Sequence, residues 1–110
     1  MITEDLLLSY GATVKYYKTG DIIFREGDSP LYYYQIRSGQ VKLNNYTEDG
    51  KEFLQNIFSD GHSIGESLLF VERPYPMNAV AMEESHILKL PKSGFLDIIR
   101  ENPEISLKIY

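Results

Sequence analysis

The chain reads as a mainly β protein, an antiparallel sandwich or barrel with short helices at both ends. Three observations predict it. Apolar runs of strand length recur about every eight to twelve residues between Val14 and Leu90. Turn residues separate them, at Thr19-Gly20, Gly27-Asp-Ser-Pro30, Ser38-Gly39, Thr47-Glu-Asp-Gly50 and Ser59-Asp-Gly61. After Pro91 the apolar spacing changes from that of a strand to that of a helix.

At 110 residues, with 43% hydrophobic and 25% charged residues, the composition is that of one globular domain. The absence of cysteine excludes disulfides, thiolate metal sites and cysteine catalysis. The first residues, Met1-Ile-Thr-Glu-Asp-Leu-Leu-Leu, are acidic before a short apolar patch. A secretory signal needs a basic start and a longer apolar run, so the expected location is cytoplasmic. No stretch approaches the ~18 apolar residues of a membrane span. A net charge of −5 argues against direct binding of nucleic acid, whose affinity comes largely from cations on phosphates.

Residues 4–9 predict a helical turn or two, ended by Gly11. Val14–Lys18, Asp21–Glu26 and Leu31–Arg37 predict the first three strands, the last with Tyr32, Tyr34 and Ile36 on one face. That tyrosine run could serve as a base-stacking platform, but half-buried aromatic strand residues suit so acidic a chain better. Gln40–Tyr46 and Lys51–Ile57 predict a hairpin around Asp49-Gly50, a pair that two-residue turns favour. Met77–Glu83 and Ser85–Leu90 form the last pair of strands. Phe95, Leu96, Ile98 and Ile99 place an amphipathic helix over 92–101. Asn102-Pro-Glu104 then starts a second helix, with Asn102 as cap and Pro103 at its first position. Ile105 and Ile109 begin an apolar stripe, and the chain stops at Tyr110. A helix so well started and so short implies truncation, with Ile105 and Ile109 on a dimer seam.

The stretch Gly61-His-Ser-Ile-Gly-Glu-Ser-Leu-Leu-Phe70 organises the rest. Gly65 has no Cβ to keep a ligand from the backbone. Glu66 to Phe70 predict one helical turn whose free N–H groups favour an anion.

With these residues in place the chain resembles the cyclic-nucleotide-binding domain of the catabolite-activator/FNR family of bacterial regulators. The resemblance rests on Gly20-Asp-Ile-Ile-Phe-Arg-Glu-Gly-Asp28, Tyr33-Tyr-Gln-Ile-Arg-Ser-Gly-Gln-Val41 and Asp49-Gly-Lys-Glu52. It continues through Gly61-His-Ser-Ile-Gly-Glu66 and Asn102-Pro-Glu104, covering Val14 to Tyr110. It implies a double-stranded β-helix, or jelly roll, with flanking helices: one domain over 1–110, with its β-roll at 14–90 and helices at 92–110. It also implies a sensory half only, from a regulator that forms a homodimer and meets DNA through a separate C-terminal domain. A stand-alone interaction or small-molecule-binding module of the same fold is the alternative.

In that family a Gly-Glu pair and a downstream Arg-Ser/Thr-Ala segment hold the cyclic phosphate. Gly65, Glu66 and Ser67 match the first part. The second part departs, because Met77 and Asn78 precede Ala79 and methionine stands where the arginine is expected. The nearest cation is Arg73, in the loop Glu72-Arg-Pro-Tyr-Pro76, and it is the one group that could reach back. Losing one partner of a buried ion pair costs roughly 3–5 kcal/mol. At about 1.4 kcal/mol per decade, affinity falls by two to four orders of magnitude. The expectation is weak or absent binding of cyclic AMP, leaving an unknown, less anionic effector or a self-filled pocket. Glu66 also has a plain role, as a carboxylate favoured at a helix N-terminus.

Enzyme chemistry finds little support. The two histidines, His62 and His86, form no His-x-His pair, so neither a metal nor any other cofactor is expected. Ser63, Ser67 and Ser85 lack a nucleophile motif.

Overall fold

The computed structural model describes residues 2–105. Helix α1 (Glu4–Ser9) precedes strands β1 (Thr13–Tyr17), β2 (Ile22–Phe24), β3 (Tyr32–Ser38), β4 (Gln40–Tyr46), β5 (Glu52–Ser59) and β6 (Ser63–Ile64). A single 3-10 turn (Glu66–Leu69), β7 (Asn78–Ala81), β8 (Ser85–Pro91) and helix α2 (Lys92–Glu101) follow. The strands form two antiparallel four-stranded sheets, ordered β1-β8-β3-β6 and β2-β7-β4-β5. This is the predicted mainly β jelly roll.

Two cores explain why β3 and β8 read as nearly continuous apolar text. Between the sheets lie Phe24, Tyr34, Ile36, Val41, Leu43 and Ile87, among others. On the far side of the first sheet, Leu7 of α1 and Phe95 and Ile98 of α2 cover Tyr33, Leu88 and Leu90. A central strand covered on both faces needs apolar residues at successive positions, not alternate ones. Hence the tyrosine run is divided: Tyr34 faces the other sheet and Tyr33 stacks on Phe95, with ring centroids 4.8 Å apart. The buried polar atoms of Tyr33 and Gln35 are matched too. Tyr33 Oη donates to Gln35 Oε1 (2.7 Å), and Gln35 Nε2 donates to the Ile2 carbonyl (2.9 Å).

Three predicted details change. The hairpin after β4 is not closed by a two-residue Asp-Gly turn. Thr47 N–H donates to the Lys51 carbonyl (2.8 Å), so Glu48, Asp49 and Gly50 form a three-residue loop with Gly50 at φ +84°. Strands β7 and β8 are consecutive but lie in opposite sheets, since the short Met82–Glu84 link crosses the sandwich edge. Asn102 turns its side chain back, donating from Nδ2 to the Ile98 carbonyl at the end of α2 (3.0 Å). Its backbone carbonyl accepts Ile105 N–H (3.0 Å), and residues 103–105 are helical. Ile105 is half-buried against the chain's own second core, whereas Ile109 lies outside the described residues.

Candidate functional site

The 3-10 turn is entered through Gly65, which sits at φ +70° and ψ +15°, a left-handed conformation that glycine adopts without strain. Strand β6 delivers it by pairing with the middle of β3, Tyr34 opposite Ile64. Leu69 and Leu68 pack into the two cores and fix the turn, while Glu66 is half-buried and Ser67 exposed.

The space in front of Gly65 is filled by the protein itself. A Cβ on Gly65 would lie 3.0 Å from Tyr75 Cε1 and 3.3 Å from Phe24 Cζ. The Tyr75 and Phe24 rings stack face to face, 3.7 Å apart and 9° from parallel, and each is at least 96% buried. Local sequence explains how Tyr75 gets there. Pro74 and Pro76 bracket it, and a residue before proline is held extended. The extended Tyr75 then pairs with the β2–β3 loop: its N–H donates to the Asp28 carbonyl (2.9 Å) and its carbonyl accepts Gly27 N–H (2.8 Å). Tyr75 Oη is buried with no hydrogen-bond partner among the described residues. Burial first, and the Asp28 carboxylate second, push its pKa up to about 12.

The other predicted site residues are held elsewhere. Met77 is half-buried against the inter-sheet core. Asn78 acts as a clamp: its Oδ1 accepts Glu26 N–H (2.8 Å) and its Nδ2 donates to Asn44 Oδ1 (3.2 Å). Asn44 passes the network on to Glu52 (2.6 Å), which pairs with Lys42 (2.8 Å). Asn45 ties the same region to Glu26 Oε1 (2.6 Å) and the Pro76 carbonyl (2.7 Å). Arg73 is exposed and walls a groove of about 260 Å³ with Pro30, Leu31, Glu72 and Lys92; Gly65, Glu66 and Ser67 do not line it. None of the ion pairs among the described residues involves Glu66. The structure therefore brings Gly65, Glu66 and Ser67 together on one turn and sets two aromatic rings against Gly65.

Sequence reasoning alone does not single out Phe24 and Tyr75. A signal is present in Pro74-Tyr75-Pro76, since two prolines around one aromatic residue fix its backbone, but what it meets depends on folding. Tyr75 and Phe24 also wall a groove of about 380 Å³ with Tyr32, Tyr34, Leu31 and Asp28. His62 and His86 are both exposed, His86 Nδ1 lying 3.3 Å from Ser38 Oγ. Among the described residues no three His, Asp or Glu side chains come together as a metal site.

The family model described as cyclic nucleotide-binding domain matches residues 14–102. The chain belongs to the cyclic nucleotide-binding domain family. This domain is 32% identical over 102 residues to the cyclic AMP receptor protein of Thermus thermophilus, covering 93% of the chain and 47% of that relative. It is 31% identical over 91 residues to lysophospholipase nte1 of Neurospora crassa, covering 83% of the chain and 6% of that enzyme. A transcriptional regulator from Thermotoga maritima superimposes with a TM-score of 0.86 at 28% identity, over 97% of the chain and 82% of that structure. The chain thus spans less than half the length of either curated relative. The cyclic nucleotide-binding domain described here is homologous to those of catabolite-activator-type regulators, and it carries Phe24 and Tyr75 against the glycine of its Gly-Glu turn. None of its described helices is long and apolar enough to cross a membrane.

Proposed function

We propose that this chain is the effector-binding and dimerisation domain of a bacterial transcription regulator, and that it does not respond to cyclic AMP. The observation that carries the second half is the Phe24–Tyr75 stack pressed on Gly65. A phosphate approaching Gly65 from its Cβ side meets two buried rings, and Glu66 takes part in none of the ion pairs among the described residues. Met77 and Asn78, packed into the core and the amide network, supply no cation. The domain catalyses no reaction. It works in the cytoplasm as part of a homodimer, with an uncharged or weakly anionic effector or none, and reaches DNA through a separate C-terminal domain.

The test is isothermal calorimetry of this domain against cyclic AMP and cyclic GMP, beside Met77→Arg and Tyr75→Ala/Met77→Arg variants. Wild type is expected to be silent, and the double variant to bind. Wild-type binding at micromolar strength or tighter would overturn the assignment. The similarity to a segment of a fungal lysophospholipase favours a second reading, an interaction or small-molecule-binding module outside transcription. A helix-turn-helix and basic recognition helix encoded with the domain distinguish the two.

A further inference from the structure

Strand β5 is the edge of its sheet, and all eight of its residues are wholly or partly exposed. Phe53 is 61% exposed, Leu54 49% and Ile57 43%. Long apolar edges are normally shortened, charged or covered, because their free N–H and C=O groups recruit another strand. Residues 51–60, Lys-Glu-Phe-Leu-Gln-Asn-Ile-Phe-Ser-Asp, contain no proline, and their charges stand mainly at the ends.

We infer that β5 pairs antiparallel with β5 of a second copy of this chain, joining the two four-stranded sheets across a two-fold axis. Reversed upon itself about the Gln55–Asn56 bond, the segment is self-complementary. Phe53 falls opposite Phe58 of the second copy, Leu54 opposite Ile57, Gln55 opposite Asn56, and Lys51 opposite Asp60. Apolar residues meet apolar ones, the amides meet at the axis, and opposite charges close both ends.

An irregularity in the strand makes this register possible. In an antiparallel pair, opposite residues share a face, and under a two-fold axis both copies present the same face. Phe53 and Phe58 are five apart, so in a regular strand they would point to opposite faces and could not meet. Here the pairing with β4 shifts between Leu43 and Asn44: Leu43 is opposite Asn56, but Asn44 is opposite Leu54, so β5 carries one extra residue. That residue resets the alternation. Phe58 and Phe53 lie opposite Val41 and Asn45, which share one face of β4, whereas Leu54 and Ile57 lie opposite Asn44 and Lys42 on the other. Both apolar pairs are thereby placed on matching faces. This seam is separate from the Gly65 turn, which follows β6.

Sedimentation equilibrium of the chain over a concentration series reads the association directly. A reversible dimer is expected. Leu54→Lys appears twice across the axis and should raise the dissociation constant by at least about tenfold. Register is read by cross-linking, because the chain has no cysteine of its own. Leu54→Cys and Ile57→Cys chains, mixed and oxidised, should form a disulfide between unlike chains, while either alone forms none. Residues directly opposite lie within disulfide reach, and like residues offset along the seam do not. A strictly monomeric wild type, a dimer indifferent to Leu54→Lys, or cross-linking within a single variant would each overturn the pairing.

Discussion

Tyr75 lies face to face with Phe24, ring centroids 3.7 Å apart, and together the two rings fill the space on the Cβ side of Gly65. One polar atom in that stack is unsatisfied: Tyr75 Oη has no partner among the described residues. A buried unpaired hydroxyl costs about 1–3 kcal/mol. Tyr75→Phe removes it without changing the ring, so stability should rise by about 1 kcal/mol. Tyr75→Ala empties the site and should lose about 3–5 kcal/mol, as large aromatic deletions in cores do. Urea midpoints at constant slope measure both. A Tyr75→Phe variant less stable than wild type would show that the hydroxyl is satisfied.

Gly65→Ala meets two obstacles. Its backbone is left-handed, which disfavours a Cβ by about 1–2 kcal/mol, and the added methyl stands 3.0 Å from Tyr75. The variant should be destabilised by about 2–3 kcal/mol. Combined with Tyr75→Ala, the closest clash is removed, while the 3.3 Å contact with Phe24 and the conformational part remain. The two substitutions are therefore less than additive, which a double-mutant cycle reads directly.

How far the chain is legible from sequence depends on whether a feature is local. Gly-punctuated strands, the helix carried by Phe95 and Ile98, and the Gly65-Glu66 turn are written in adjacent residues, and they fold as read. The double burial of Tyr33 and Tyr34 is not legible, because it arises from α2 returning over the first sheet. Nor is the role of Tyr75, which meets Phe24 fifty-one positions earlier through two backbone bonds to the β2–β3 loop. Asn102 stands where a cap for the helical residues after it belongs, yet its amide serves α2, the helix that precedes it.

Gly39 is a more severe constraint than Gly65. It turns the chain from β3 into β4 at φ +119°, and a Cβ there would fall 2.1 Å from Ser85 Oγ and 2.8 Å from Ser85 Cα. The second distance matters more, since backbone cannot swing away as a side chain can. Gly39→Ala should therefore lose about 3 kcal/mol or more, and Ser85→Gly should not rescue it. Restored stability in the double variant would locate the clash in the serine side chain alone.

Alkaline pH should unfold the domain through its buried phenols. Burial raises the pKa of Tyr33, Tyr34 and Tyr75 above the ordinary 10.0, in the case of Tyr75 to about 12. Above pH 10 the unfolded chain has released these protons while the native state still holds them. Stability then falls with pH, because the native state binds more protons than the unfolded one. The stabilisation from the neutral phenols is complete below pH 10; for Tyr75 it is lost as pH rises through about 12, and Tyr33 and Tyr34 stay protonated in the native state to higher pH still. Denaturation midpoints between pH 8 and 12 should be level at first and then decline steeply. Tyr75→Phe removes one of the phenols and should make the decline shallower; an identical slope in that variant would place the Tyr75 hydroxyl in contact with solvent.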